Sequence, residues 1–214
     1  MPIFFQQDID ESTRLAVWKI SEDEAFFLQH VPLQREITHP HKRLQHLAGR
    51  YLLQYLFPDF PINLIKIADT RKPYLDDEAY HFSISHCSNY AAAIVSKEKR
   101  VGVDIEVPTP KVERVMHKFL HKEELSALSY QISAVNSEQE FSNPKLTLLW
   151  SCKEAVFKWW SYGNVDFSEM IRIEPFEMSQ QGIIQSRFVS ETETTPLILH
   201  YQLFEGICLA WVVR

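Results

Sequence analysis

His41-Lys-Arg-Leu-Gln-His-Leu-Ala-Gly-Arg-Tyr-Leu-Leu-Gln-Tyr-Leu-Phe57 places Leu44, Leu47, Ala48, Tyr51, Leu52 and Tyr55 at helical spacing, with basic residues between them. The same pattern returns in Lys145–Tyr162, where Leu149, Cys152, Val156 and Trp159 form a stripe and Gly163 suits the position just past a helix end. Each helix leads into a short alternating segment, Ile62–Ala68 in one case and Met170–Phe176 in the other. Each is then followed by paired strand candidates. These are Tyr80–Ser85 with Tyr90–Val95, and Leu197–Phe204 with Ile207–Val213, the latter joined by Glu205-Gly206 as a hairpin turn. An order of elements stated twice predicts a mixed α+β chain of two similar halves. Pro108 and Pro110 break the pattern in the middle, which sets the halves at residues 1–105 and 106–214. Lys111–Leu125 reads as a helix and the polar stretch Ser126–Pro144 as a surface loop.

Composition narrows the function. The chain has 214 residues, of which 45% are hydrophobic and 23% charged, enough for a sizeable core. Its net charge of −6 argues against nucleic acid held by bulk charge. Only 5 residues are glycine, and neither GxGxxG nor GxxxxGK[ST] occurs, so a Rossmann dinucleotide site and a P-loop lack support. Cys87, Cys152 and Cys208 are scattered, as expected of reduced thiols in the cytoplasm. No basic-then-apolar leader opens the sequence and no apolar run approaches the ~20 residues of a membrane span, so a cytoplasmic protein without a membrane partner is expected.

Acidic, basic and hydroxyl side chains recur in four short motifs. In Val101-Gly-Val-Asp-Ile-Glu106, strand periodicity puts Asp104 and Glu106 on one face. Two adjacent carboxylates repel unless a cation intervenes, and Mg²⁺ accepts one or two carboxylates while leaving sites for phosphate oxygens. Trp150, Glu154 and Lys158 share one helix face at i, i+4 and i+8. Phe82-Ser-Ile-Ser-His86 ends a strand in a hydroxyl and an imidazole able to donate to phosphate, and Arg71-Lys-Pro sets two cations beside a rigid proline. His39, His41 and His46 lack a metal partner set and read as solvated residues near a helix end. From the carboxylates alone, a metal-dependent phosphohydrolase or nuclease is an alternative, as is a non-catalytic binding module.

Taken in order, Lys-Pro, Ser-Ile-Ser-His, Gly-Val-Asp-Ile-Glu and Trp-Ser-Cys-Lys-Glu-Ala-Val-Phe-Lys resemble the Sfp-type 4′-phosphopantetheinyl transferase family, over about Lys42 to Trp159. The resemblance implies transfer of the 4′-phosphopantetheine arm of coenzyme A to a serine of an acyl or peptidyl carrier protein. It also implies a pseudo-twofold fold with coenzyme A between the halves. By the same resemblance Asp104, Glu106 and Glu154 surround Mg²⁺, and Lys158 neutralises phosphate charge. Lys72, Ser85 and His86 contact the nucleotide and its phosphates, with Arg50, Arg43 and Arg35 as candidates for the 3′-phosphate. Glu154 is the first choice of base and Glu124 the alternative. Arg71 stands where the family usually has glycine, and the spacer between the last two motifs is long.

The partner expected is an acidic carrier protein, with no nucleic acid and a monomeric enzyme. Within Lys111–Leu125, Val112, Val115, Met116, Phe119 and Leu120 build an apolar face beside a basic stripe of Lys111, Arg114, Lys118 and Lys122. That stripe is the expected docking surface.

Overall fold

The computed structural model describes residues 3–70, 72–134 and 142–214. Two compact units divide the chain, Met1–Ile105 and Glu106–Arg214. Both are mixed α/β, and each sets one long helix against an antiparallel sheet.

In the first unit the strands are β1 (Ile3–Asp8), β2 (Thr13–Lys19), β5 (His81–Cys87) and β6 (Tyr90–Ser96), in the order β1-β2-β6-β5. β2 and β6 are central and buried almost throughout. Their sequences, Leu15-Ala-Val-Trp18 and Ala91-Ala-Ala-Ile-Val95, therefore run apolar without the alternation of a half-exposed strand. A short helix α1 (Glu24–Leu28) is capped by Asp23, whose carboxylate accepts from Phe26 N at 3.0 Å. The long helix α2 (Pro40–Leu56) begins with proline in its first turn, and the His39 ring accepts from Lys42 N. Leu47, Leu52, Leu53 and Leu56 of α2 are all but inaccessible and face β2, β5 and β6. Each such leucine stabilises the unit by about 1.5–3 kcal/mol. Gly49 lets α2 approach β5 closely, since a Cβ there would lie 2.6 Å from Ile84 Cγ2.

Between helix and sheet the alternating segment expected at Ile62–Ala68 is mostly not a strand. It is a 3-10 turn at Ile62–Leu64 followed by β3 (Lys66–Ile67), which pairs with β4 (Pro73–Tyr74). Pro61 and the burial of Ile62 pull the backbone into the turn before any ladder can form. β7 (Val101–Glu106) is extended, and the Ser83 hydroxyl accepts from Val103 N at 3.1 Å.

In the second unit, strands β8 (Ile171–Ile173), β9 (Gln181–Val189), β10 (Thr194–Phe204) and β11 (Ile207–Val213) lie in the order β11-β10-β9-β8. β10 and β11 form the expected hairpin, with Gly206 at φ 78 in the turn. Helix α5 (Ser142–Trp160) packs on β11, and its end passes through Ser161, Gly163 and Asn164, all with positive φ.

Two further expectations differ from the structure. The single helix over Lys111–Leu125 is two, α3 (Lys111–Phe119) and α4 (Lys122–Ala134). The break comes at Leu120-His121, where His121 caps α4 and Glu124 reaches back to accept from His121 N at 2.8 Å, a capping box. The loop expected at Ser126–Pro144 is helical on both flanks, since α4 runs to Ala134 and α5 starts at Ser142. Its middle, 135–141, lies outside the described residues, as does Arg71.

Candidate active site

In the first unit, β5 and β7 bring two motifs together. Ser85 and Asp104 are both buried, and the Ser85 hydroxyl donates to Asp104 Oδ1 at 2.7 Å. This bond spends the hydroxyl hydrogen on the carboxylate and orients Asp104. His86, next along β5, is exposed, and Lys72, just before β4, is half-buried.

α2 supplies the basic side chains. Arg50 is only 3% exposed; its Nε donates to His46 Nε2 at 2.8 Å, and Nη1 is buried without a protein acceptor. Burial first, and the positive charge of Arg35 second, push Arg50 down to about 10. Arg43 is already committed: its Nε donates to Glu24 Oε1 at 2.8 Å and its Nη1 to Ile37 O at 2.9 Å. Those two bonds tie α2 to α1 and to the segment before α2, and they engage two of the three guanidinium nitrogens. The three histidines also divide. His39 caps the helix and His41 is exposed against Asn89, whereas His46 is half-buried on Arg50 rather than solvated.

In the second unit, Glu106 ends β7 and its Oε1 accepts from Trp150 Nε1 at 3.4 Å. Glu154 and Lys158 stand half-buried on later turns of α5. Glu124, the alternative base, has both carboxylate oxygens engaged. Its Oε2 accepts from His121 N at 2.8 Å and from Lys153 Nζ at 2.6 Å, and its Oε1 from Ile173 N at 2.8 Å. These three donors tie the start of α4 to α5 and β8. Lys153 was not singled out from the sequence. It is fully buried and also donates to Phe167 O at 3.0 Å and Ile171 O at 2.8 Å. The sequence signal was there, a cation on an apolar helix stripe between Leu149 and Val156.

The chemistry of the donor set suits a hard cation, since Asp104 and Glu106 offer carboxylate oxygen two residues apart on one strand. Among the described residues, however, no three His, Cys, Asp or Glu side chains are gathered to hold a metal ion. Mg²⁺ commonly takes one or two carboxylates and completes its shell with water and phosphate oxygens, so an acidic pair without a full cage still fits that ion. Among the described residues no helix is long and apolar enough to cross a membrane.

The sequence family described as the 4′-phosphopantetheinyl transferase superfamily matches residues 100–212. The chain belongs to that superfamily. It is also 31% identical over 150 residues to enterobactin synthase component D of Salmonella austin, a match covering 70% of this chain and 58% of that protein. The protein of the same name from Salmonella typhi is 30% identical over 158 residues, with the same two coverages. The chain thus spans about six-tenths of the length of these relatives.

Proposed function

We propose that this chain transfers the 4′-phosphopantetheine arm of coenzyme A to a serine of an acyl or peptidyl carrier protein, releasing adenosine 3′,5′-bisphosphate. The observation carrying the reading is the 2.7 Å bond between Ser85 and Asp104, which joins the hydroxyl–imidazole motif to the first carboxylate of the acidic pair. Membership of the superfamily supports it, and gives no support to the phosphohydrolase or the non-catalytic reading.

In the proposed reaction the carrier serine oxygen bonds to the phosphorus bearing pantetheine, and the bond from that phosphorus to the adenosine bisphosphate oxygen breaks. Glu154 takes the serine proton, as a carboxylate within reach of a poor nucleophile should. Lys158 and Lys72 offset charge on the departing phosphates. Of the expected ligands, the strand pair Asp104 and Glu106 would hold Mg²⁺, which when bound would neutralise pyrophosphate charge. His86, Lys72 and Arg50 bind the cofactor.

Calorimetric titration of coenzyme A tests the cofactor assignment. His86→Ala and Lys72→Ala should each weaken binding about tenfold, the worth of one charge-assisted hydrogen bond. Unchanged affinity in both variants would place coenzyme A elsewhere.

Carrier docking is assigned to α3. Lys111, Arg114 and Lys118 are exposed around Val115, while Lys122 opens the next helix and leaves the stripe. Arg114→Glu with Lys118→Glu should raise the Michaelis constant for an acidic carrier and leave that for coenzyme A unchanged. The wild-type carrier constant should also rise with salt, because exposed charges are screened within about 10 Å at 0.1 M. Wild-type carrier kinetics in the reversed variant at low salt would return α3 to ordinary surface.

A further inference from the structure

His46 lies one turn before Arg50 on α2, and the contact between them is specific. The Arg50 Nε–H points at His46 Nε2 across 2.8 Å, so the imidazole must offer a lone pair there and carry its proton on Nδ1. A guanidinium hydrogen-bonded through Nε loses rotation about its long axis, and its two Nη groups then face one way as a fork. Here that fork is inside the protein. Arg50 is 97% buried and Nη1 reaches no protein acceptor, although a buried N–H donor left unmatched is costly.

The surroundings state what is missing. The charged and titratable groups acting on His46 are Arg50 on its own helix, Arg35 from the segment before it and His86 from β5. All are basic. Burial first, and these charges next, push His46 down to about 4, so its ring stays neutral and accepting throughout the neutral range. A cationic cluster with a buried, oriented and unspent guanidinium is complementary to a compact anion carrying several oxygens, such as a phosphate.

We propose that His46 is a positioning residue, holding the Arg50 guanidinium by its Nε–H so that the Nη fork is preset for a phosphate group of coenzyme A. The proposal rests on the coenzyme A reading given above. It does not make His46 a ligand: the ring acts through Arg50.

Five proteins test it: wild type, His46→Leu, His46→Gln, Arg50→Gln, and the His46→Leu/Arg50→Gln double variant that closes the cycle. Glutamine places an oxygen near the Nε2 position and keeps the acceptor, whereas leucine removes it. Calorimetry with coenzyme A should give His46→Leu about tenfold weaker binding and His46→Gln within about threefold of wild type. In the Arg50→Gln background, His46→Leu should add nothing. A merely structural histidine would not show rescue by glutamine and silence without Arg50. Should His46→Leu fail to fold by circular dichroism, His46→Asn, polar but too short to reach Arg50, replaces it. Wild-type affinity in the acceptor-less variant, equal losses in the Leu and Gln variants, or additive losses in the cycle would each overturn the proposal. Inorganic pyrophosphate, read as the rise in melting temperature, separates the two levels of inference. If wild type is stabilised by pyrophosphate and His46→Leu is not, the positioning role stands even where coenzyme A fails to bind. If wild type responds to neither, both fall.

Discussion

Lys153→Met is expected to destabilise the second unit by about 3–5 kcal/mol, the usual cost of removing one partner from a buried ion pair. The lysine is wholly inaccessible and its ammonium satisfies Glu124, Phe167 O and Ile171 O at once. Methionine fills similar space but leaves two carbonyls and one charged oxygen without their donor. Burial lowers the lysine's proton affinity and the contact with Glu124 opposes that. The double variant Lys153→Met with Glu124→Gln should recover part of the loss, because it removes the unpaired carboxylate charge and its amide oxygen can still accept from one of the two backbone donors, His121 N or Ile173 N. Urea unfolding of the three proteins decides the matter. A single variant within 1 kcal/mol of wild type, on the order of an exposed pair, would show that the ammonium is not structurally engaged.

Asp104→Asn and Glu154→Gln should each lower transfer by more than about 100-fold while melting temperatures hold, since each removes a charge and keeps the shape. Asparagine retains an oxygen for the Ser85 hydroxyl, so loss of activity there reads as loss of the carboxylate rather than of the β5–β7 contact. A chelator should abolish transfer in wild type and added Mg²⁺ restore it. Full activity of Asp104→Asn would remove the acidic pair from the reaction.

The legible parts of this fold are those where a helix or a hairpin shows one apolar face. α2 and β10 follow their periodicity because each keeps an exposed opposite side, whereas α5 and β11 are legible from helical spacing and from the Glu205-Gly206 turn. β2 gives no alternating signal, since both its faces are buried. β9 alternates cleanly, with Ile184, Ser186 and Phe188 inward, but its polar residues hide the pattern. The apolar spacing of Val112–Leu120 runs into the next helix without a breaker, and only the His121-to-Glu124 capping box marks the join. Composition also misleads after Ser126, where a polar sequence is helical to Ala134.

Motif order names candidate acidic, hydroxyl and lysine positions, but not which charged groups are already engaged. Arg43 and Glu124 look like free functional groups in sequence and are tied into internal contacts by Glu24 and Lys153. His46 looks like surface and is drawn inward by Arg50. Such pairings depend on which helices meet, which one-dimensional spacing does not contain.

The most direct test of the central claim is intact-mass spectrometry of an apo carrier protein incubated with this chain, coenzyme A and Mg²⁺. The account predicts a carrier heavier by one phosphopantetheine group, released adenosine 3′,5′-bisphosphate in equal amount, and no mass change when the acceptor serine is replaced by alanine. An unmodified carrier alongside hydrolysed coenzyme A, or with coenzyme A intact, would contradict it.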